Sequence, residues 1–280
     1  MAGRYSGSYP DRPYGWRAVA ILADIGQASL VRRIPVGRIR ISAKLEKNEM
    51  PSTLITGANR GLGLEFARQY AADGWHVYAT CRDPNSASDL RKLADASDSN
   101  MQVLALDVTD LASIKAAAAA LDGQAIDLLL NNAGVGGPRG QKLGNIDYEA
   151  WAKVLDVNTM GPLRVAEAFV DHVARSERKL IATLTSGMGS IADNTSGGSF
   201  AYRSSKAAVN MVMRSLAIEL APRGITCVVV NPGWVRTDMG GPRGNMTPAE
   251  SVTNLRRLFE NLDQAHSGRF FNHDGGEYPW

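Results

Sequence analysis

The run Thr53-Leu54-Ile55-Thr56-Gly57-Ala58-Asn59-Arg60-Gly61-Leu62-Gly63 joins a short apolar segment to three glycines and then to a helical pattern. A glycine-rich turn between a strand and a helix presents backbone N–H groups and the positive end of the helix to a pyrophosphate. The glycines follow G-x-x-x-G-x-G spacing, which differs from the G-x-G-x-x-G of most dinucleotide-binding folds. They could also form only a tight turn, but the flanking strand and helix patterns favour a phosphate site.

The chain after Met50 alternates strand and helix patterns as parallel-sheet proteins do. Apolar strand patterns lie at 53–56, 75–81, 101–106, 126–130, 179–184, 225–231 and 269–271. Helical patterns lie between them at 62–73, 86–97, 110–121, 147–175, 203–221 and 248–262. Each helix is long enough to connect two parallel strands by a right-handed crossover. The sequence therefore predicts an α/β fold, a single doubly wound Rossmann domain with a seven-stranded parallel sheet.

A second motif, Tyr202-Arg203-Ser204-Ser205-Lys206, lies in one of these helical patterns. Residues four apart on a helix share one face, so the lysine ammonium can lie beside the phenol. A neighbouring positive charge lowers the cost of ionising a phenol, whose ordinary pKa is about 10. The pair predicts proton transfer to or from a substrate near the bound nucleotide.

These motifs resemble those of the short-chain dehydrogenase/reductase family, and the resemblance covers essentially all of residues 50–280. The family's marks occur in order: Asn131-Asn132-Ala133-Gly134, Asn158 within Asp156-Val157-Asn158-Thr159, Ser186, Tyr202 with Lys206, and Pro232-Gly233. The segments around Ser186 and Tyr202 look most similar to the branch of C-factor-like proteins and sniffer-type carbonyl reductases.

The resemblance implies a catalytic set of four residues. Tyr202 would be the acid/base, and Lys206 would stabilise its phenolate and hold the nicotinamide ribose. Ser186 would orient the substrate carbonyl oxygen, and Asn158 would hold a water behind the lysine. The separation of Ser186 from Tyr202 is slightly longer than usual in the family, which leaves Ser190 as an alternative serine. The loop 192–198 is expected to absorb the difference.

The charge at the end of the second strand indicates which cofactor is used. NAD-binding relatives carry an acid there for the ribose hydroxyls, whereas this chain has Cys81 followed by Arg82. A guanidinium can bind a 2′-phosphate through two hydrogen bonds, and Arg60 adds a second nearby cation. We therefore expect NADP(H) to be preferred over NAD(H). Alternatively, Arg82 is a surface charge paired with Asp83.

The resemblance also implies the remaining cofactor contacts. Asp107, with the backbone of Val108, would bind the adenine, and Thr237 would bind the nicotinamide carboxamide. The complete set of expected cofactor-binding residues is Gly57, Asn59, Arg60, Gly61, Leu62, Gly63, Arg82, Asp107, Val108, Asn132, Ala133, Gly134, Tyr202, Lys206, Pro232, Gly233, Val235 and Thr237.

The expected function is an NADP(H)-dependent oxidoreductase that transfers hydride between the nicotinamide and a small-molecule carbonyl or alcohol substrate. The alternative is a C-factor-like signalling protein that binds the cofactor with little turnover. Relatives commonly form a homodimer or a homotetramer, and apolar surfaces on the helices at 147–175 and 203–221 would suit such an assembly. The same branch includes monomers.

Charge and cysteine content exclude several other classes. The net charge of +3 comes from residues 1–49, which hold nine of the 31 basic and four of the 28 acidic residues. The remainder has no basic excess, so nucleic-acid binding is not expected. The absence of a run of about 18 apolar residues argues against a membrane span. The two cysteines, Cys81 and Cys227, lie in apolar strand patterns, which is typical of buried, reduced thiols in a cytoplasmic protein. The four histidines lack metal-ligand spacing, so no metal is expected.

Residues 1–49 differ from the rest of the chain. They begin with a Tyr-, Pro-, Gly-, Ser- and Arg-rich stretch and lack a clean hydrophobic period. Three interpretations remain open: a mis-assigned start upstream of Met50, a disordered or weakly helical extension, and a targeting peptide. An Arg-rich composition favours the last, and Asp11 and Asp24 count against it.

Overall fold

The computed structural model describes residues 50–138 and 140–280, so the predictions for residues 1–49 lie outside the described residues. A single sheet contains seven parallel strands in the order β3-β2-β1-β4-β5-β6-β7. The strands are β1 Ser52–Ile55, β2 His76–Cys81, β3 Met101–Ala105, β4 Leu128–Asn131, β5 Leu180–Leu184, β6 Thr226–Asn231 and β7 Phe270–Asn272. The predicted seven-stranded parallel sheet is confirmed.

Within the described residues, seven α-helices connect and cover the strands. They are α1 Gly61–Ala72, α2 Ser88–Asp95, α3 Leu111–Ala120, α4 Tyr148–Leu155, α5 Gly161–Arg175, α6 Phe200–Leu220 and α7 Pro248–Glu260. Alternate residues of a strand face opposite sides of the sheet. Accordingly, Ile55 packs in a core with Phe66 of α1 and Leu255 of α7, whereas Leu54 packs in a second core with Phe169 of α5. Helices therefore cover both faces, which makes the sheet doubly wound.

The strand order reverses between β1 and β4, which are hydrogen-bonded neighbours. The chain leaves β1 toward β2 and β3 on one side, and then returns to β4 on the other. In open parallel sheets, the crevice beyond the carboxyl ends at such a switch point is where ligands bind. The motifs that follow β1, β4, β5 and β6 all reach this edge.

The helical stretch predicted at 147–175 is helical from 148 to 175, and it contains a π-helical turn, Asp156–Met160, between α4 and α5. Polar side chains on this turn hold it against neighbouring segments. Asn158 binds the backbone of Val135, and Thr159 Oγ1 donates to the backbone O of Ser205 at 3.0 Å. Such turns occur frequently at functional sites.

The longest helix, α6, begins three residues earlier than the pattern at 203–221 indicated. Ser199, immediately before it, has φ of +46°, a left-handed conformation that turns the preceding loop into the helix. Among the described residues, no helix is sufficiently long and apolar to cross a membrane.

Candidate active site

Tyr202 and Lys206 lie on one face of α6, as their spacing predicted. The Lys206 Nζ is 5.8 Å from the centroid of the Tyr202 ring. Burial raises the pKa of Tyr202, and the adjacent Ser186 hydroxyl offsets part of that increase. A serine and a cation therefore flank a phenol that would otherwise be hard to ionise.

The ammonium of Lys206 is buried and has a backbone acceptor. Its Nζ donates to the backbone O of Leu184, at the end of β5, at 2.9 Å. Burial lowers the pKa of Lys206 from 10.5 to about 8, because taking the charged form out of water is unfavourable. The lysine therefore lies in an electrostatically costly position, which is typical of functional sites.

Ser186 follows β5 and caps the short 3₁₀ turn Gly187–Gly189. Its Oγ accepts the N–H of Met188 at 3.1 Å, so the hydroxyl proton remains able to donate. The alternative serine, Ser190, is buried, and its hydroxyl is engaged by the backbone of Asp193 and Trp280. The geometry therefore favours Ser186 over Ser190 as the serine that contacts the substrate. Residues 192–198 form a loop, as expected from the sequence.

Asn158 lies next to the lysine, and both polar atoms of its side chain are hydrogen-bonded. Its Oδ1 accepts the N–H of Val135 at 2.8 Å, while its Nδ2 donates to the Val135 backbone O at 2.9 Å and to Ser205 Oγ at 3.0 Å. A Cβ built on Gly134 would lie 3.3 Å from Asn158 Oδ1 and 3.7 Å from Lys206 Nζ. Asn158 thus fixes the backbone after β4 beside the lysine.

The glycine turn after β1 is tightly packed. Gly57 and Gly61 have φ of +67° and +56°, a region that favours glycine. A Cβ on Gly63 would lie 2.3 Å from the backbone O of Gly57, so no other residue allows α1 to approach the turn this closely. Of the other turn residues, Asn59 is exposed, and Leu62 packs on the core.

The segment after β4 braces this turn. The Asn132 Nδ2 donates to the backbone O of Thr56 at 2.7 Å and of Gly57 at 3.1 Å. The N–H groups of Asn132 and Ala133 both donate to Thr56 Oγ1 at 3.0 Å. The Asn132 side chain therefore shapes the turn, and the backbone from Ala133 to Gly134 lines the crevice.

The cations predicted to select the cofactor lie at the surface of this crevice. Arg82 is exposed, and no ion pair of its guanidinium occurs within residues 50–138 and 140–280. Asp83, its proposed alternative partner, instead accepts the N–H of Asn85 at 3.0 Å. Arg60 pairs with Asp238 at 3.1 Å, and both side chains are exposed. Arg82 is therefore available to an anionic ligand, whereas Arg60 already has a partner.

Asp107 and Val108, which the sequence assigned to the adenine, directly follow β3. The Oδ1 of Asp107 accepts both the N–H and the hydroxyl of Thr109, at 2.9 and 2.7 Å. These bonds fix the orientation of the carboxylate. Val108 is buried against Gly161, where a Cβ would lie 3.0 Å from its Cγ2.

The segment after β6 closes the other side of the crevice. Pro232 O accepts the Ser251 hydroxyl at 2.7 Å, and Gly233 has φ of +82°. Val235 is buried, and the Thr237 Oγ1 accepts the N–H of Gly240 at 3.1 Å. A Cβ on Gly61 would lie 3.6 Å from Thr237 Cγ2, so this loop lies directly opposite the glycine turn.

These features fit a nicotinamide dinucleotide. The close approach of Gly63 to the backbone of Gly57 puts the start of α1, with its N–H groups, at the crevice. Gly134, which has no side chain, leaves space next to Lys206. No group of three His, Cys, Asp or Glu side chains suited to a metal ion occurs in the described part of the chain.

Sequence reasoning missed three contributors. They are Asp238, which pairs with Arg60, and Tyr278 and Trp280, which contact the loop after β5. Each meets its partner across at least 85 positions of sequence. No local pattern could have identified them.

A family model described as short chain dehydrogenase matches residues 52–247. The chain belongs to the short chain dehydrogenase family. Its resemblance to this family, inferred from the motifs alone, is confirmed.

Two solved carbonyl reductase structures are similar over nearly their whole length. The carbonyl reductase Sniffer of D. melanogaster is 32% identical, with a TM-score of 0.77 over 83% of this chain and 100% of that one. The NADPH-bound carbonyl reductase from chicken fatty liver is 38% identical, with a TM-score of 0.77 over 82% and 99%. These neighbours support an oxidoreductase that uses a nicotinamide cofactor.

A third relative bears on the alternative that the sequence left open, a C-factor-like signalling protein. The protein called C-signal, from Myxococcus xanthus, is 45% identical over 155 residues, which is 55% of this chain and 93% of that protein.

Proposed function

We propose that this short chain dehydrogenase is an NADP(H)-dependent carbonyl reductase that transfers hydride between the nicotinamide and a carbonyl or alcohol substrate. The observation that carries the proposal is the pair formed by Tyr202 and the buried Lys206, with the Ser186 hydroxyl beside the phenol, at the carboxyl edge of the sheet. Reduction of a carbonyl needs a proton donor and a group that polarises the oxygen, and this cluster provides both.

Each residue has a role that follows from its surroundings. The cofactor, when bound, supplies or accepts the hydride. Ser186 uses its free hydroxyl proton to hold the substrate oxygen. Tyr202 gives its proton to that oxygen as negative charge develops, and Lys206 stabilises the resulting phenolate. Asn158 holds the neighbouring backbone in place, and through it the water that we propose behind the lysine.

The surroundings of the crevice support NADP(H) rather than NAD(H). The end of β2 carries Cys81 and the exposed Arg82 in place of the acid that binds ribose hydroxyls. A guanidinium suits a 2′-phosphate. One solved relative is described as NADPH-bound. We assign Asp107 and Val108 to the adenine, and Pro232, Gly233, Val235 and Thr237 to the nicotinamide side.

The substrate is a small molecule in this proposal. Half-exposed apolar side chains, Trp234 and Met239, lie on the loop after β6 and would favour apolar carbonyl compounds. Two buried free cysteines, Cys81 and Cys227, suit a reducing compartment, and we propose the cytoplasm.

The similarity to C-signal favours one second candidate, a protein that binds the cofactor and signals with little turnover. The presence of Asn158, Ser186, Tyr202 and Lys206 in one cluster favours chemistry. The two candidates can be distinguished by experiment, because only a carbonyl reductase needs turnover.

The test is a panel of aldehydes, ketones and quinones, followed by NADPH absorbance for the wild type and Tyr202→Phe. We expect the variant to lose on the order of 10²- to 10⁴-fold in kcat, the usual contribution of a general acid, with little change in NADPH affinity. Tyr148→Phe, at an exposed tyrosine of α4, is the matched control. Near wild-type turnover in Tyr202→Phe would refute the role of the phenol. Wild-type protein that binds NADPH and reduces nothing on the panel would favour the signalling candidate.

A further inference from the structure

The last described residues fold back toward the active site. After β7 the chain turns at Gly275, with φ of +91°, and Asn272 N donates to Gly276 O at 2.7 Å. The returning segment then pairs with β7, where Tyr278 N donates to Phe270 O at 2.8 Å. The turn directs residues 277–280, which we call the return segment, toward the loop that follows β5. The matched family region ends at residue 247, before this segment begins.

The backbone of the return segment binds the loop that carries Ser186. The backbone O of Trp280 accepts the N–H of Ile191 at 3.0 Å, the N–H of Ala192 at 2.9 Å and the hydroxyl of Ser190 at 3.1 Å. Three donors from consecutive residues thus converge on one oxygen. They fix the end of the loop to the return segment.

The side chain of Tyr278 reaches the beginning of the same loop. A Cβ built on Gly187 would lie 2.7 Å from the Tyr278 Oη, so the phenol packs directly on the residue after Ser186. The same Oη donates to Asp193 Oδ2 at 2.7 Å. Tyr278 therefore connects Gly187 and Asp193, six positions apart within this loop.

The opposite side of the loop is packed against the catalytic helix. A Cβ on Gly189 would lie 2.8 Å from both the backbone C and the Cβ of Lys206. The loop is therefore held between α6 on one side and the return segment on the other. If the contacts with the return segment are lost, the loop is held on one side only and can move away from α6.

We propose that Tyr278 is a positioning residue, which holds Gly187 and Asp193 so that the Ser186 hydroxyl stays beside the phenol of Tyr202. This proposal deepens the proposed function and rests on it for its effect on turnover. It also predicts an effect that does not depend on turnover. If Ser186 moves away, the phenol loses the group that partly lowers its pKa, so the pKa of Tyr202 must increase further.

The test compares Tyr278→Ala and Tyr278→Phe with the wild type. The ionisation of Tyr202 is followed by NMR of protein labelled at the tyrosine ζ-carbon, and its signal is identified by its loss in Tyr202→Phe. Tyr78→Phe is the matched control, because it also removes one hydroxyl, bonded to Gln124 at 3.4 Å, on a different part of the sheet. Affinity for NADPH and the melting temperature are measured on the same samples.

We expect Tyr278→Ala to raise the pKa of Tyr202 and to lower kcat by about 10- to 100-fold, the scale of a displacement of about 1 Å, with little change in NADPH affinity. Tyr278→Phe keeps the ring on Gly187 but loses the bond to Asp193, so its effect should be smaller. Should Tyr278→Ala fail to fold, Tyr278→Phe and Asp193→Ala decide, because each removes this hydrogen bond and keeps the backbone bonds of the return segment.

An unchanged pKa of Tyr202 in folded Tyr278 variants would overturn the proposal, even if the melting temperature fell. Equal losses of kcat and NADPH affinity would also overturn it, because they would indicate a general structural role. A wild-type protein without turnover would refute the proposed function alone, and the NMR titration would still decide the role of Tyr278.

Discussion

Replacing Lys206 by methionine should stabilise the free protein near pH 7 while it removes function. Burial lowers the pKa of Lys206 from 10.5 to about 8, a difference that corresponds to about 3 kcal/mol of unfavourable free energy when the buried ammonium is charged. Methionine has a similar shape and no charge. It leaves the backbone O of Leu184 without its 2.9 Å donor, which costs about 1–3 kcal/mol. We expect a net gain of about 1 kcal/mol in the free energy of unfolding.

The difference in the free energy of unfolding between the wild type and Lys206→Met should change with pH over a defined range. Between about pH 8 and 10.5 the unfolded lysine holds a proton that the folded one has lost, so the stability of the wild type increases with pH. The free-energy cost of the buried ammonium is fully present below about pH 8 and absent above about pH 10.5. Lys206→Met, which has no such group, should therefore lose its advantage as the pH rises through this window. It should become the less stable protein by about 2 kcal/mol near the upper end, because only the lost hydrogen bond remains.

The assay is urea unfolding of both proteins without cofactor, at several pH values from neutral to the upper end of the window. Lys115→Met, at an exposed lysine of α3, is the matched control and should show a constant difference from the wild type. NADPH binding and turnover, measured separately, should both fall in Lys206→Met, because we assign the lysine to both. A destabilisation that is the same at every pH would refute the reasoning, since it would mean that burial does not disfavour the ammonium.

Three further predictions concern the cofactor, the assembly and the first residues. Arg82→Ala should weaken NADPH binding by about 1.5–3 kcal/mol and NADH binding much less, as measured by fluorescence titration; equal losses would make Arg82 structural. Exposed apolar side chains on α5 and α6, including Leu163 and Met211, should support a homodimer or homotetramer, and a monomer in sedimentation velocity would contradict this. A chain that begins at Met50 should keep its melting temperature and its NADPH affinity, and a large loss of either would show that residues 1–49 contribute.

Local patterns were sufficient to predict the sheet and the positions of the main motifs. The strand pattern before Gly57 and the spacing to Gly63 predicted a glycine-rich turn, and the structure shows the close backbone approach that requires glycine there. The spacing of Tyr202 and Lys206 likewise placed both on one helical face. In each case the prediction depended on residues within one turn or one helix.

The parts that the sequence did not reveal depend on contacts between distant segments. The π-helical turn around Asn158 interrupts an otherwise regular helical period, and the Asn158 side chain binds Val135, 23 positions earlier. The contact between Ser190 and Trp280 joins residues 90 positions apart, and the Arg60–Asp238 ion pair joins residues 178 apart. Such pairs become visible only when the sheet order brings the segments together.

Transfer of deuterium is the most direct test of the central claim that Tyr202 and its neighbours support hydride transfer between NADP(H) and a carbonyl. NADPH that carries deuterium at both C4 positions of the nicotinamide is incubated with an aldehyde or a ketone from the panel, and the alcohol product is analysed by mass spectrometry. The account predicts a single deuterium on the former carbonyl carbon with the wild type, and product formation lower by on the order of 10²-fold or more with Tyr202→Phe. Product without deuterium, or equal labelling rates in both proteins, would contradict it.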